Sequence, residues 1–240
     1  MKATFRKKLH LTFFHSQKGQ GLVETALLMP ILLIVLSGLV EFGLMMNYFM
    51  VVQDASRNAT RFAVDNAYNS RDGNHNCTPT IRVIQTEPEI ITETVPATLD
   101  FYRQIGCVVN QELAREKPDA SIVFTNTLDD VVISVFSIEG GNPPIVSARF
   151  PEGEGEAGWS FSLDETSARN QFSQFSSAEV ASLLNNSAPS TGYVLVEVFD
   201  AYDQILKLPW ITAFVPDPVL FHVYTIMPLS SAEPTPTPIP

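Results

Sequence analysis

The chain opens with one long apolar stretch. No charged residue occurs between Thr25 and Val40, and apolar character resumes after Glu41 and extends to Val52. A membrane-crossing helix needs roughly 20 mostly apolar residues, so residues 20–52 are predicted to form a transmembrane helix. A buried core helix and a cleaved secretory signal are the alternatives. However, few soluble helices are apolar on every face, and the run exceeds the apolar region of a signal peptide.

The helical pattern continues past the apolar stretch. Apolar side chains recur at helical spacing at Ala55, Ala59, Phe62 and Ala63, and Arg57 and Arg61 lie one turn apart on another face. Turn-forming residues gather at 68–74, so residues 53–72 are predicted to continue the helix outside the membrane. A rod of this length would reach about 70 Å, more than a bilayer needs. We therefore expect its outer half to pack on other parts of the protein.

Beyond residue 73 the pattern changes to short segments rich in Val, Ile, Phe and Tyr, which is typical of strands. Strands are predicted at 80–85, 121–125, 131–138, 145–150, 193–199 and 219–226, with a hairpin connection at 126–130. Helices are predicted at 101–114 and 177–184, the second opened by a capping box of Ser176 and Glu179. The expected fold class is α+β, with a long N-terminal transmembrane helix that continues into a small extracytoplasmic domain with an antiparallel sheet.

Charge orients the predicted span. Residues 1–19 carry five basic residues, whereas all 26 acidic residues follow them. Positive flanks stay in the cytoplasm, so residues 1–19 are predicted to be a basic cytoplasmic leader and residues 73–230 an extracytoplasmic α+β domain. Proline occupies every second position from Pro234 to Pro240, and residues 231–240 are expected to form an extended Pro/Thr-rich tail. The expected location is the cell membrane, crossed once.

The net charge of −11 argues against a nucleic-acid partner, because the one basic cluster lies on the leader. Cys77 and Cys107 both fall in the segment assigned to the outside, where an oxidising environment lets them pair. Such a disulfide would stabilise the fold by roughly 3–4 kcal/mol. Two independent buried thiols are the alternative.

Candidate catalytic and metal-binding residues are scarce. His75 beside Cys77 lacks two further ligands at a suitable spacing. Residues 151–158 form an acidic, glycine-rich loop without the register of a calcium-binding loop, so a solvated loop is the preferred interpretation. No nucleophile or phosphate-binding motif occurs. We expect no enzyme, no cofactor and no metal.

Three segments resemble the TadE-like proteins of tight-adherence (Tad/Flp) pilus systems. They are GQGLVETALLMP at residues 19–30, EFG at 41–43 and ASRNATRFA at 55–63. The likeness covers residues 19–65 well, with a fainter one near the C-terminus at 194–198, 208–210 and 219–227. Residues 77–186 align with no motif of the family.

The resemblance implies a pilin-like minor pseudopilin. Some members are cut by a prepilin peptidase directly after a glycine, which by likeness places a cut between Gly19 and Gln20. Glu24 would then be the fifth residue of the mature chain, one helical turn from the new amino group. A carboxylate facing an amine of the same or a neighbouring subunit offsets the desolvation of both. We therefore expect Glu24 to set the axial register between packed helices.

Further residues are expected to take part in helix packing and assembly. The predicted set is Glu24, Pro30, Glu41, Gly43, Arg57 and Arg61. Pro30 would kink the span and Gly43 would permit close helix contact. For Glu41, an interfacial carboxylate that reaches water and a helix-packing contact are both open.

The leading hypothesis is a non-enzymatic, membrane-anchored component of Tad/Flp pilus assembly or related secretion machinery. Its expected partners are other pilin-like subunits, an inner-membrane assembly platform and a prepilin peptidase. The alternative is a permanently anchored cell-surface protein whose outer domain binds a ligand. A membrane-bound hydrolase has the least support, because no catalytic set stands out in the sequence.

Overall fold

The fold was analysed in a computed structural model, which describes residues 17–65, 83–86, 89–92, 97–116, 127–185 and 188–229. The elements in chain order are α1 (Gln17–Asp65), β1 (Val83–Thr86), β2 (Glu89–Thr92), α2 (Ala97–Glu116), β3 (Asp130–Glu139), β4 (Ile145–Phe150), a 3₁₀ turn (Gly155–Ala157), β5 (Trp159–Ser160), α3 (Phe161–Thr166), α4 (Ser177–Leu183), β6 (Thr191–Tyr202), α5 (Pro209–Thr212) and β7 (Val219–Pro228).

An antiparallel sheet with the strand order β4-β3-β6-β7 forms the centre of the domain. The short strand β5 continues the β4 edge by pairing with β3. β1 and β2 form a separate antiparallel pair. The central strands β3 and β6 are in register from Asp130 opposite Phe199 to Ile138 opposite Thr191. Both are buried almost throughout, because helices or chain segments cover both faces of the sheet.

One face of the sheet is covered by α1 and α2. α1 packs against α2, β6 and β7. The hydrophobic α1 side chains that are buried there are Tyr48, Val52, Ala55, Ala59 and Ala63. α2 contributes Phe101, Tyr102, Ile105, Val109 and Leu113 to the same core. The alanines let the helix approach the sheet closely, and the outer half of the rod thereby packs on its own domain.

The opposite face is covered by α4 and the chain before it. Val180 of α4 packs with Phe136, Ile138, Tyr193 and Leu195 of the sheet. The start of α4 carries the predicted capping box, in which Ser176 and Glu179 bond to each other's backbone. The domain is therefore α+β, with a sheet between two layers.

Most predicted elements of the domain are present. The strand at 145–150 is observed at its predicted bounds, and those at 131–138, 193–199 and 219–226 are longer than predicted. β2, β5, α3 and α5 were not predicted. The predicted strand at 121–125 and the predicted helix end at 68–74 lie outside the described residues. The predicted segment boundaries at residues 19, 52, 72 and 230 stay predictions.

The acidic loop at 151–158 is held by arginines. Glu156 forms an ion pair with Arg149 of β4, and Glu154 forms one with Arg169. Gly158, at the end of this loop, has φ 74° and ψ 171°, a conformation that side chains rarely adopt. The loop is thus an anchored part of the fold, with two of its carboxylates paired.

We expect Gly158→Ala to destabilise the domain by about 3 kcal/mol, since it adds backbone strain and overpacking. A Cβ there would lie 2.6 Å from Oγ of Ser134 and 2.9 Å from Cγ1 of Val132. The matched control is Gly153→Ala, because Gly153 has a φ of 96° but nothing within 4 Å of its Cβ position. It should cost about 1 kcal/mol. Denaturant unfolding of the two variants measures the difference, and equal losses would contradict the close contact.

Candidate functional site

The candidate site is α1, which divides into two parts at Glu41. Residues 21–40 are almost entirely exposed, whereas one face of the helix is buried from Glu41 to Ala63. Among the described residues, α1 is the one helix long and apolar enough to cross a membrane, and an 18-residue stretch of it has a mean hydropathy of 2.3. The exposed part spans about 30 Å at 1.5 Å per residue, which matches the hydrocarbon thickness of a bilayer.

Glu41 marks the point where α1 meets the domain. Its side chain is only 4% exposed. Oε1 accepts a hydrogen bond from the amide of Ile205 at 2.9 Å and one from the Tyr202 hydroxyl at 3.1 Å. Oε2 accepts one from the amide of Leu206 at 2.8 Å. The alternative in which Glu41 reaches water is therefore wrong, because the chain that follows β6 encloses the carboxylate.

Two turns further along α1, Tyr48 makes the next polar contact. Its hydroxyl donates to the carboxylate of Asp200 on β6, and both residues are buried. The ring of Tyr48 lies 5.3 Å from that of Tyr202, which in turn bonds Glu41. Burial and the hydrogen bond to Glu41 raise the pKa of the Tyr202 hydroxyl to about 12, so it remains a donor at neutral pH.

Ser56 makes the third contact, again about two turns along. Its Oγ lies 3.3 Å from the carbonyl oxygen of Val196 on β6 and 3.0 Å from Oγ1 of Thr225 on β7. Ser56 is fully buried. We name Glu41, Tyr48 and Ser56 the polar seam of α1. Their spacing of seven and eight residues keeps them on one face.

The polar seam fixes how far along its axis α1 sits on the sheet. Alanines and valines would pack nearly as well after a shift of one turn, but each buried polar group would then lose its partner at a cost of about 1–3 kcal/mol. Sequence reasoning singled out Glu41 alone. The sequence pattern that could have indicated Tyr48 and Ser56 is the recurrence of polar side chains, at intervals of seven and eight residues, on a largely apolar helix face.

Glu24 lies in the exposed part of α1. Among the side chains that the structure describes, from Gly21 onward, none forms a hydrogen bond or ion pair with that of Glu24, although the neighbouring Thr25 bonds back to the carbonyl of Gly21 at 2.8 Å. Gly19 and Gln20 lie within α1. The single described chain thus leaves a carboxylate exposed in its most apolar segment.

The remaining predicted assembly residues lie on exposed parts of α1. Pro30 is within the helix and exposed, and a Cβ on Gly43 would meet open space. Arg57 is exposed and lies 3.7 Å from Asp54, and Arg61 is exposed as well. None of these positions faces the core formed by the described residues, and their role in assembly stays a prediction.

The predicted disulfide falls partly outside the described residues. Cys107 lies on α2, next to Gly106, which packs against the ring of Phe161. Its predicted partner Cys77 is outside the described part of the chain. The pairing therefore stays a prediction.

Two clusters outside α1 carry groups that could do chemistry. Glu197 is fully buried and lies 3.0 Å from Nε2 of His222, while Ser173 donates its hydroxyl to the same carboxylate. In a catalytic triad the serine would bond to the histidine instead. The buried Asp130 accepts bonds from both Ser160 and Ser162. Both arrangements hold chain segments together and leave no activated hydroxyl.

Asp129 introduces a pH-dependent element beside the polar seam. Its buried carboxyl accepts a hydrogen bond from the amide of Ala201 at 2.8 Å. Burial, and then the negative charge of Asp200, raise its pKa to about 7. The folded state therefore favours the protonated form of Asp129.

We expect Glu41→Ala to release the chain after β6 from α1. The amides of Ile205 and Leu206 would lose their acceptor, at roughly 1–3 kcal/mol for each buried group left unpaired. Hydrogen exchange of these two amides, measured on the full chain in lipid nanodiscs, should become faster by at least tenfold. The control Asp54→Ala removes an exposed carboxylate from the same helix and should change neither amide. Unchanged exchange of the two amides in Glu41→Ala would contradict the role of Glu41 as their acceptor.

We expect Asp129→Asn to stabilise the domain at pH 8 and not at pH 4. The carboxyl of Asp129 ionises near pH 4 in the unfolded chain and has a pKa of about 7 in the folded one. The stability of the wild type therefore decreases as the pH rises from 4 to 7. Asparagine keeps the acceptor without the charge, and its advantage at pH 8 should be roughly 1–3 kcal/mol. Thermal unfolding across this range measures it, with Glu139→Gln as the control, because Glu139 is an exposed carboxylate at the other end of β3. An advantage that does not vary with pH would refute the assignment.

Residues 19–61 match the protein family described as TadE-like protein. No curated protein and no solved structure matches the chain significantly. The matched segment contains Glu24 and the whole polar seam, and it ends just before α1 does. The match covers 43 of the 240 residues of the chain. The long helix of the chain is TadE-like, which confirms the resemblance seen in its sequence.

Proposed function

We propose that this chain is a non-enzymatic, membrane-anchored, pilin-like subunit, a minor pseudopilin, in the assembly of a Tad pilus or a related secretion machine. The observation that carries the proposal is the exposed Glu24 carboxylate in the apolar part of α1. The TadE-like match over the same segment supports it.

A carboxylate in hydrocarbon is costly, and it is retained where it faces a partner or a polar cavity. Since the described residues supply no partner for Glu24, we infer that a neighbouring molecule does. A second pilin-like helix with a free amino group at its start would provide the opposite charge. In a bundle of such helices this contact would be made at one axial offset only.

The two parts of the TadE-like segment would then have separate tasks. Residues 21–40 would lie in the membrane and contact neighbouring helices. The polar seam, from Glu41 onward, would hold the subunit's own domain. Because the two parts belong to one continuous helix, the register that is set at Glu24 also sets the position of the domain in an assembly.

The proposal includes an orientation and a processing step. The basic residues before Gln20 would stay in the cytoplasm, and the α+β domain would lie on the other side of the membrane. A prepilin peptidase would cut between Gly19 and Gln20 and create the amino group that faces Glu24. The inner-membrane platform of the Tad system would be the further partner.

We expect Glu24→Ala to weaken contact between subunits. A photo-crosslinking residue at Leu28, an exposed position one turn away, would report neighbouring helices in cells with a complete Tad system. Losing the charge pair leaves the partner's amine unpaired at roughly 3–5 kcal/mol, so crosslinks and surface pili should both fall at least tenfold.

The matched control is Asp54→Ala, which removes an exposed acid beyond the apolar part and should leave both readouts unchanged. If Glu24→Ala still crosslinks and still supports pili, the assembly role is wrong. That result would favour the alternative, an anchored protein whose domain binds a ligand on its own.

A further inference from the structure

The loop that joins β6 and β7, residues 203–218, exposes large apolar side chains. Phe214 is 88% exposed, Ile205 56% and Trp210 41%. These residues are close together along the chain, whereas singly scattered apolar residues on a surface need no explanation. We name residues 203–218 the β6–β7 loop.

The β6–β7 loop lies beside the apolar part of α1. Nε1 of Trp210 donates to Oγ of Ser37 at 3.3 Å. Ser37 precedes Glu41 by one helical turn, about 6 Å along the axis, and so belongs to the exposed apolar part. The amides of Ile205 and Leu206 bond Glu41 itself. The loop is therefore level with the last turn of the part of α1 that would be in lipid.

Many backbone amides and carbonyls of the β6–β7 loop form hydrogen bonds within the loop, as an environment with little water requires. Each amide from Ile211 to Val215 donates to a carbonyl within the loop. The carbonyl oxygens of Val215 and Pro216 accept from Nε2 of Gln204 at 3.1 Å. Three prolines, at 209, 216 and 218, have no amide to satisfy. Unpaired backbone groups cost several kcal/mol in hydrocarbon, and these bonds avoid that cost.

The charges of the β6–β7 loop lie near one another. Nζ of Lys207 is 3.8 Å from Asp203 and 3.7 Å from Asp217. The loop thus combines exposed aromatic and aliphatic side chains with mutually paired charges. Tryptophan is enriched where the headgroups meet the acyl chains, because its ring is apolar and its N–H is polar.

We propose that the β6–β7 loop inserts into the lipid interface beside α1, on the side of the membrane that carries the domain. Phe214 and Trp210 contact the upper acyl chains, and the charged residues lie among the headgroups. The domain is thereby held at two places, by α1 and by the loop, which fixes its rotation about the α1 axis. This inference depends on α1 crossing a membrane and not on pilus assembly.

The test uses the two tryptophans of the chain as depth reporters. The full chain is placed in phosphatidylcholine and phosphatidylglycerol vesicles at a low protein-to-lipid ratio, with nitroxide labels on the headgroup, the upper acyl chain or the lower acyl chain. Trp159 is buried in the domain core and 5% exposed. The difference between wild type and Trp210→Phe gives the signal of Trp210 alone. Quenching should be strongest with the upper acyl label and at least threefold above that of Trp159.

A second variant tests insertion directly. Phe214→Glu should lower the quenching of Trp210 by the upper acyl label by about half or more, since a carboxylate resists burial in lipid. The control Leu183→Glu changes an exposed apolar residue on α4 and should have no effect.

Two results would overturn the proposal. In one, the acyl labels quench the tryptophan fluorescence of wild type and Trp210→Phe to the same extent, whereas iodide in the water strongly quenches Trp210. Trp210 would then lie in water and not in lipid. In the other, Trp210 is shielded only at high protein-to-lipid ratios, which would mean that a second copy of the chain covers the loop. Loss of pili in Glu24→Ala bears on the proposed function and leaves this test unaffected.

Discussion

The structure depends on the capture of one carboxylate by the end of a β-strand. Glu41 ends the exposed part of α1, and two consecutive backbone amides and a tyrosine hydroxyl bond it. A buried carboxylate without such donors would be strongly destabilising. When both oxygens accept hydrogen bonds, the cost of burial is offset and the contact favours one arrangement of helix and domain. The contact joins residues more than 160 positions apart in the sequence and lies where the exposed apolar part of the helix ends and the domain begins.

Apolar packing and polar contacts have different effects along α1. The small and apolar residues of the buried face supply most of the favourable burial, but they would tolerate several axial positions. Tyr48 and Ser56 have partners at one position only. The helix therefore gains its affinity for the sheet from one set of residues and its unique placement from another. The TadE-like match contains the polar seam and the buried apolar residues of α1 up to Ala59.

Periodicity was a good guide where one physical rule dominates. The apolar run could be predicted from its length as a helix that is able to cross a membrane, and strands such as 145–150 from their residue types and bounding turns. The capping box of α4 is a local motif and could be predicted as such. By contrast, the two-residue strand β5 exists only because β3 offers it an edge. The partners of Glu41 could not be predicted, since main-chain amides carry no sequence signature.

The alanines of α1 have a consequence for the geometry of the whole molecule. Ala55, Ala59 and Ala63 follow one another at intervals of four residues and are completely or almost completely buried against the domain. They belong to the core in which α1 meets α2 and the sheet. A bulkier side chain at any of them would overpack this core, so α1 would have to shift relative to the elements that it contacts. The angle between the helix and the domain is therefore sensitive to the size of three small side chains.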